Sequence, residues 1–154
     1  MSFPELFKAA FTHPAIDNHA HPLLRAKWRD ALSFEGIISE AEGEALTKDA
    51  VHTLACFRAT RQLAKLYGLD EDASWEDIKS HRATMDYMDL CKLCFKDTNI
   101  QCILIDDGLG SPDLPEGYRW HDQLTPSATA RIVRVEIIAE VTSNFNGKGL
   151  CSEL

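Results

Sequence analysis

Apolar residues recur at helical spacing in three parts of the chain. The first is residues 3 to 12, and the second and longest is residues 44 to 67. The third begins at Ser74, which forms a capping-box-like pair with Asp77, and runs to about Lys96. The pattern therefore predicts helices over most of the first hundred residues.

Three other segments have the pattern of strands. Residues 15 to 19 form a short segment of this kind, and residues 99 to 106 (NIQCILID) are a nearly continuous apolar run, as in strands buried on both faces of a parallel sheet. Residues 131 to 138 (RIVRVEII) are rich in β-branched residues. Glycines and prolines between residues 107 and 130 predict a long loop. Because helices separate the first two strands, the order favours an α/β fold with a parallel sheet.

The composition is that of an ordinary globular chain, since 45% of the 154 residues are hydrophobic and 26% are charged. The formal net charge of −8 argues against nucleic-acid binding, which needs clustered lysine and arginine, and against docking on an anionic membrane. No apolar run reaches the length of a membrane span, and the amino terminus lacks the pattern of a signal peptide. A cytoplasmic location is therefore expected.

Five cysteines are scattered along the chain, and an odd, scattered set is typical of reduced thiols rather than of a disulfide framework. Cys91 and Cys94 have C-x-x-C spacing, but they fall near the end of a predicted helix, on its apolar side. That position favours buried thiols over a redox pair or a zinc site.

The segment Ile16 to Pro22 (IDNHAHP) carries the most informative chemistry in the sequence. Residues two apart in a strand point to the same side, so His19 and His21 can direct two imidazoles at one point. Imidazole is a common ligand of zinc and related divalent metals, and parallel α/β barrels keep their active sites at the carboxyl ends of the strands. The His-x-His spacing by itself also fits two loop histidines that bind no metal.

Four segments resemble the amidohydrolase-related family of metal-dependent hydrolases, namely IDNHAHPL, RQLAKLYG, CILIDDGL and RIVRVEIIAE. Within this family they are similar to the branch of FluG-like and nodulin-like proteins, in which an amidohydrolase-like domain precedes a glutamine-synthetase-like domain. The resemblance covers residues 3 to 140, and its most specific parts are the His-x-His pair, the LIDDG strand end and RIVRVE.

The resemblance implies a (β/α)₈ TIM barrel that binds a divalent metal, with zinc expected, and hydrolyses a C–N or related bond in a small-molecule substrate. His19 and His21 match the first two metal ligands of the family. The other ligands lie on later strands, and such a barrel takes ~250 residues. The chain is therefore expected to hold only the first βα units of an incomplete barrel over residues 1 to 142, followed by a divergent polar tail over residues 143 to 154.

Four further residues are candidates for the same site. Asp106 and Asp107 end the second predicted strand, where they are either catalytic carboxylates or caps that bond the backbone amides of the following loop. His121 is either a substrate contact or an exposed loop histidine. Glu136, in the third predicted strand, is either a catalytic carboxylate or one half of a structural ion pair with a nearby arginine.

Two functions stay open on the sequence alone. The chain is either part of a metal-dependent hydrolase or a non-catalytic fragment that acts by association. Two histidines do not complete a site that needs at least three protein ligands. An incomplete barrel would also leave an apolar strand edge exposed, which predicts marginal stability, self-association through that sheet edge and little hydrolase activity of the chain alone.

Overall fold

The computed structural model describes residues 3–108 and 113–147, and the chain divides into two compact units. The helical unit consists of the described residues up to Pro14 together with Leu24–Ile100. The sheet unit consists of Ala15–Leu23 and the described residues from Gln101 onward. The sheet unit holds every candidate residue named above, so the chemistry of the chain is concentrated there.

Helices make up most of the helical unit. Its α-helices are α1 (Pro4–Thr12), α2 (Leu54–Tyr67), α3 (Trp75–Thr84) and α4 (Tyr87–Phe95). Short 3₁₀ turns at Ala26–Trp28, Phe34–Ile37 and Ala50–His52, and a π-helical turn at Ala45–Asp49, all precede α2. The predicted first helix is confirmed by α1. Among the described residues, no helix combines the length and the apolar character needed to cross a membrane.

The two longer predicted helices are each broken by a side-chain cap. Thr53 is extended, with ψ 158°, and its hydroxyl accepts a hydrogen bond from the amide of Cys56 at 3.2 Å, so α2 starts there. Asp86 interrupts the other helix, because its carboxylate accepts from the amides of Met88 at 2.8 Å and Asp89 at 3.1 Å. Such side chains offer the backbone an alternative to continuing a helix.

The predicted start of α3 is confirmed in detail. Ser74 and Asp77 form a complete capping box, in which the Ser74 hydroxyl accepts from the Asp77 amide at 3.2 Å and the Asp77 carboxylate accepts from the Ser74 amide at 2.8 Å. At the end of α2, Gly68 has φ 70°, the left-handed conformation in which glycine commonly stops a helix.

A buried carboxylate lies within the core of the helical unit. Glu35 is 5% exposed and accepts hydrogen bonds from the Trp75 indole at 3.1 Å, from the Lys79 ammonium at 2.9 Å and from the Ser33 hydroxyl. Phe34 stacks on Trp75, with ring centres 5.0 Å apart. Burial alone raises the pKa of Glu35, but the hydrogen bonds from Ser33 and Lys79 outweigh it and lower that pKa to about 2.

The sheet unit is built on three strands in the order β1 (Ala15–Ala20), β2 (Ile100–Ile105) and β3 (Ala130–Arg131). β2 and β3 run parallel, with Leu104 opposite Ala130, so the predicted parallel pairing of these strands is confirmed. Ile103 and Ile105, which share one face of β2, are 2% and 1% exposed, so that face of the central strand is buried. A 3₁₀ segment at Tyr118–Gln123 and helix α5 (Val135–Gly147) complete the unit.

The predicted third strand over residues 131 to 138 is wrong. Only Ala130–Arg131 is a strand, and one further hydrogen bond, from the Ile132 amide to the Ile105 carbonyl at 2.8 Å, follows it. The chain then enters α5. Val135, Ile137 and Ile138 are apolar at positions that also suit a helix, and periodicity does not separate the two structures in so short a run.

The predicted partial (β/α)₈ barrel is also wrong. The described residues form a mixed α/β structure with a small three-stranded sheet, and its third strand is only two residues long. Such a strand is too short to form the wall of a barrel, whose strands tilt and pair along their length. Of the predicted polar tail, residues 143 to 147 continue α5, and residues 148 to 154 lie outside the described residues.

Candidate functional site

The two histidines and Asp106 meet where β1 and β2 end. His19 lies on β1, His21 follows it, and Asp106 comes directly after β2. A hydrogen bond from the Asp106 amide to the Ala20 carbonyl, 2.8 Å long, joins the two strand ends. The proximity predicted from the rule that parallel strands share a carboxyl edge is therefore confirmed for these three residues.

Asp106 contacts both histidines, each through a different group. His19 Nε2 lies 3.4 Å from the carboxylate oxygen Oδ2 of Asp106. His21 Nδ1 lies 3.3 Å from the main-chain carbonyl oxygen of the same residue. The ring centres of the two histidines are 5.5 Å apart, and the ring planes are inclined by 59°. One residue therefore contacts one nitrogen of each imidazole.

The Asp106 carboxylate is buried and fully engaged. It is 2% exposed, and Arg134 binds it with two nitrogens, Nη2 at 2.6 Å from Oδ2 and Nε at 2.9 Å from Oδ1. The amide of Gly108 also donates to Oδ1, at 3.1 Å. The Arg134 guanidinium holds the pKa of the Asp106 carboxyl well below its usual range, so this carboxyl is ionised.

Gly108 leaves the space that Arg134 occupies. A methyl group in place of the missing side chain would lie 2.8 Å from Arg134 Cδ and 2.9 Å from Arg134 Nε. Both distances are well inside van der Waals contact, so a larger residue at 108 requires the arginine to move. The segment LIDDG therefore contains both the Asp106 carboxylate and the glycine that leaves space for the Arg134 side chain.

Within the described residues, no bond joins Asp107 or Glu136 to either histidine, and both carboxylates instead contact arginines. Asp107 pairs with Arg131 at 2.7 Å, and the Arg131 side chain is 57% exposed. Glu136 is in the first turn of α5 rather than in a strand, its side chain is 66% exposed, and it lies 3.6 Å from Arg134. The predicted strand position of Glu136 is thus wrong, while the catalytic roles proposed for the two carboxylates stay predictions.

His121 is buried, not an exposed loop histidine. It is 1% exposed, and its Nε2 accepts a hydrogen bond from the Leu23 amide at 3.0 Å. Its Nδ1 lies 3.2 Å from the Gly117 carbonyl and 3.1 Å from the Tyr118 carbonyl. Both ring nitrogens are therefore used by the backbone of the sheet unit, as in a histidine that fixes a loop, and its role as a substrate contact stays a prediction.

The histidine pair fits a divalent metal in part. With Zn–N bonds of about 2.0–2.1 Å and tetrahedral angles, two imidazole centres bound to one zinc lie about 5 Å apart, close to the 5.5 Å between the rings of His19 and His21. Within residues 3–108 and 113–147, however, no three histidine, cysteine or acidic side chains are grouped as a metal site. The chain thus offers two ligands and no complete site among its described residues.

Sequence reasoning missed the role of Arg134 at Asp106, because residues 131 to 138 were assigned to a strand. The available signal was the opposite charge at two neighbouring strand ends: Asp106 and Asp107 follow β2, while Arg131 ends β3 and Arg134 comes shortly after it. In a parallel pair these ends lie side by side, so two ion pairs were a natural expectation.

Comparison with known proteins gives one informative similarity. The chain is 43% identical over 134 residues to the protein fluG of Emericella nidulans, an alignment that covers 83% of this chain. The chain spans about 15% of the length of this relative. No family model matches the chain, and no solved structure matches it. The similarity confirms a FluG-like relationship, while the placement in the amidohydrolase family stays a prediction.

Proposed function

We propose that this chain carries the paired histidines of a metal-dependent hydrolase that acts on a C–N or related bond of a small molecule. One observation carries the proposal. His19 and His21 lie side by side, and each has one ring nitrogen against Asp106 and the other without a bond in the described residues. Metal-binding histidines usually have this arrangement, in which the second nitrogen bonds a carboxylate or a main-chain carbonyl.

A divalent metal at this position would polarise a substrate carbonyl and lower the pKa of a bound water. The residues of the chain have simpler tasks in this proposal. His19 and His21 supply neutral nitrogen ligands, and Asp106 contacts one nitrogen of each ring, which leaves the other nitrogen for the metal.

A second candidate is a protein that has the histidine pair but no catalysis, and acts by association. The absence of a third grouped ligand among the described residues favours it. The two candidates differ in affinity for metal, since a catalytic zinc site has three protein ligands and an open position. The FluG-like relationship is consistent with both candidate functions.

We expect the chain to bind zinc at a single site with a dissociation constant of about micromolar or weaker, because two imidazoles hold a metal less firmly than three ligands do. Isothermal titration calorimetry of the purified chain measures this. Changing both His19 and His21 to alanine is expected to abolish the binding.

The matched control is His13→Ala, which removes an exposed histidine that lies in the helical unit. It is expected to leave zinc binding unchanged. Binding that survives the double substitution, or that is lost in His13→Ala, would contradict the proposed metal role of the pair. Stoichiometric binding at nanomolar affinity would instead show that the chain supplies a complete site.

A further inference from the structure

We propose that Asp106, held by Arg134, is a positioning residue that orients both histidines and fixes a different tautomer in each. The metal in this inference rests on the proposed function. The orientation of the two histidines by Asp106 does not depend on that metal. It assigns Asp106 a task other than catalysis, since neither carboxylate oxygen is left for a substrate or a metal. It also gives Arg134 and Gly108 a place in the site that the sequence did not predict.

The first step concerns the hydrogen positions on the two rings. Arg134 binds both oxygens of the Asp106 carboxylate, so this group only accepts, and the contact of His19 Nε2 with Oδ2 at 3.4 Å favours a hydrogen on Nε2. A carbonyl oxygen also only accepts, so Nδ1 of His21 carries the hydrogen that faces Asp106. The nitrogens left as metal ligands are then Nδ1 of His19 and Nε2 of His21.

The second step concerns rigidity. The Asp106 carboxylate is 2% exposed, whereas the His19 side chain is 58% exposed. An exposed imidazole is otherwise free to rotate about two bonds, and ordering it on ligand binding costs conformational entropy. Contact with a buried anion whose own position is fixed by two nitrogens of Arg134 reduces that cost before a metal arrives.

The third step concerns what holds the anion. Arg134 reaches Asp106 across the position of Gly108, which has no side chain to obstruct it. The bidentate pair fixes the direction of the carboxylate, as guanidinium–carboxylate pairs do. Substitution at Gly108 therefore displaces mainly Arg134 and keeps the side chains of Asp106 and both histidines chemically the same, although the added methyl group would also lie 3.3 Å from Asp106 Oδ1. It provides a separate test.

The chain contains its own control pair. Asp107 and Arg131 form an ion pair of 2.7 Å directly beside the Asp106–Arg134 pair of 2.6 Å. No bond from Asp107 to either histidine is found within the described residues. Changing Asp107 to asparagine removes one negative charge at the same strand end, as Asp106→Asn does. It therefore separates a positioning effect of Asp106 from a general change in electrostatics.

The first experiment reads the tautomers directly, by long-range ¹H–¹⁵N correlation of the histidine rings in the metal-free chain. We expect a Nε2–H tautomer for His19 and a Nδ1–H tautomer for His21. In Asp106→Asn the tautomer of His19 is expected to change or become mixed. His21 is expected to keep its tautomer there, because its partner is a main-chain oxygen that the substitution retains.

The second experiment measures zinc affinity by calorimetry in Asp106→Asn, Arg134→Met and Gly108→Ala. Loss of a partner that orients a metal ligand typically weakens metal binding by about 10- to 100-fold, and we expect at least about tenfold here. Asp107→Asn and Arg131→Met are expected to change the affinity less than about twofold. If Asp106→Asn or Arg134→Met fails to fold, Gly108→Ala still tests the positioning role.

The outcomes distinguish the two proposals. The positioning role would be overturned if zinc binding depends on His19 and His21 but keeps its affinity in Asp106→Asn, Arg134→Met and Gly108→Ala, and if the His19 tautomer does not change. The wild-type chain could instead bind no zinc while its histidines show the expected tautomers, and these could change in Asp106→Asn but not in Asp107→Asn. That result would support the positioning role and overturn the proposed metal site. Equal effects of the two asparagine substitutions on His19 would show a general charge effect and also overturn it.

Discussion

Changing Glu35 to glutamine is expected to lower the free energy of unfolding by about 3 kcal/mol at neutral pH, because it removes the charge of a buried carboxylate that accepts hydrogen bonds from Lys79, Trp75 and Ser33. Glu35 is 5% exposed and lies 2.9 Å from the Lys79 ammonium, whose side chain is 35% exposed. Glutamine retains the size and an acceptor for the Trp75 indole, so the effect isolates the charge. Urea denaturation at pH 7 measures the loss.

The same carboxylate makes stability depend on pH. The pKa of Glu35 falls from 4.5 to about 2 on folding, so the folded state favours the ionised form. Its contribution is therefore fully present above about pH 4.5 and is lost as the pH falls toward 2. The stability difference between the wild-type chain and Glu35→Gln should shrink across this range.

Glu76→Gln provides the matched control for Glu35. Glu76 binds the same Lys79 ammonium, at 3.3 Å, but its side chain is 75% exposed. Exposed pairs of this kind contribute at most about 0.5 kcal/mol. A loss in Glu76→Gln as large as that in Glu35→Gln, or a Glu35→Gln effect that does not change between pH 5 and 2.5, would contradict the account of the buried pair.

Changing Ile103 to alanine is the second substitution with a large expected effect, a loss of about 3 kcal/mol in the free energy of unfolding. Ile103 is 2% exposed in the central strand β2, so its truncation leaves a cavity on the buried face of this strand. Chemical denaturation followed by circular dichroism reports the change.

Ile16→Ala is the comparison for Ile103, since both residues lie in the same sheet. Ile16 is on β1 and is 60% exposed, so its truncation is expected to change the stability by less than about 0.5 kcal/mol. Similar losses for the two isoleucines would show that β2 is not the buried strand of this sheet.

The sequence was sufficient where a pattern and a local rule agreed. The apolar run of residues 99 to 106 predicted β2, and the two-residue spacing of His19 and His21 predicted that their rings share one side of the chain. The rule for parallel strand ends then predicted that Asp106 lies beside them. These inferences needed no knowledge of distant contacts.

The failures came from interactions that periodicity does not register. Thr53 and Asp86 begin the separate helices α2 and α4 through hydrogen bonds of their own side chains, although the apolar spacing continues on both sides. Val135, Ile137 and Ile138 are β-branched and apolar, yet they lie at the start of α5. An incorrect strand there concealed Arg134 as the partner of Asp106 and supported a barrel that the described residues do not form.

The two-residue length of β3 affects how the sheet meets other molecules. β3 is one border of the sheet, and so short a strand presents few main-chain donors and acceptors on its open side. Such a border is a poor template for the addition of strands from neighbouring chains, which is how cross-β fibrils grow. Fibrillar growth of this sheet would have to begin at the six-residue β1 border, beside the histidines.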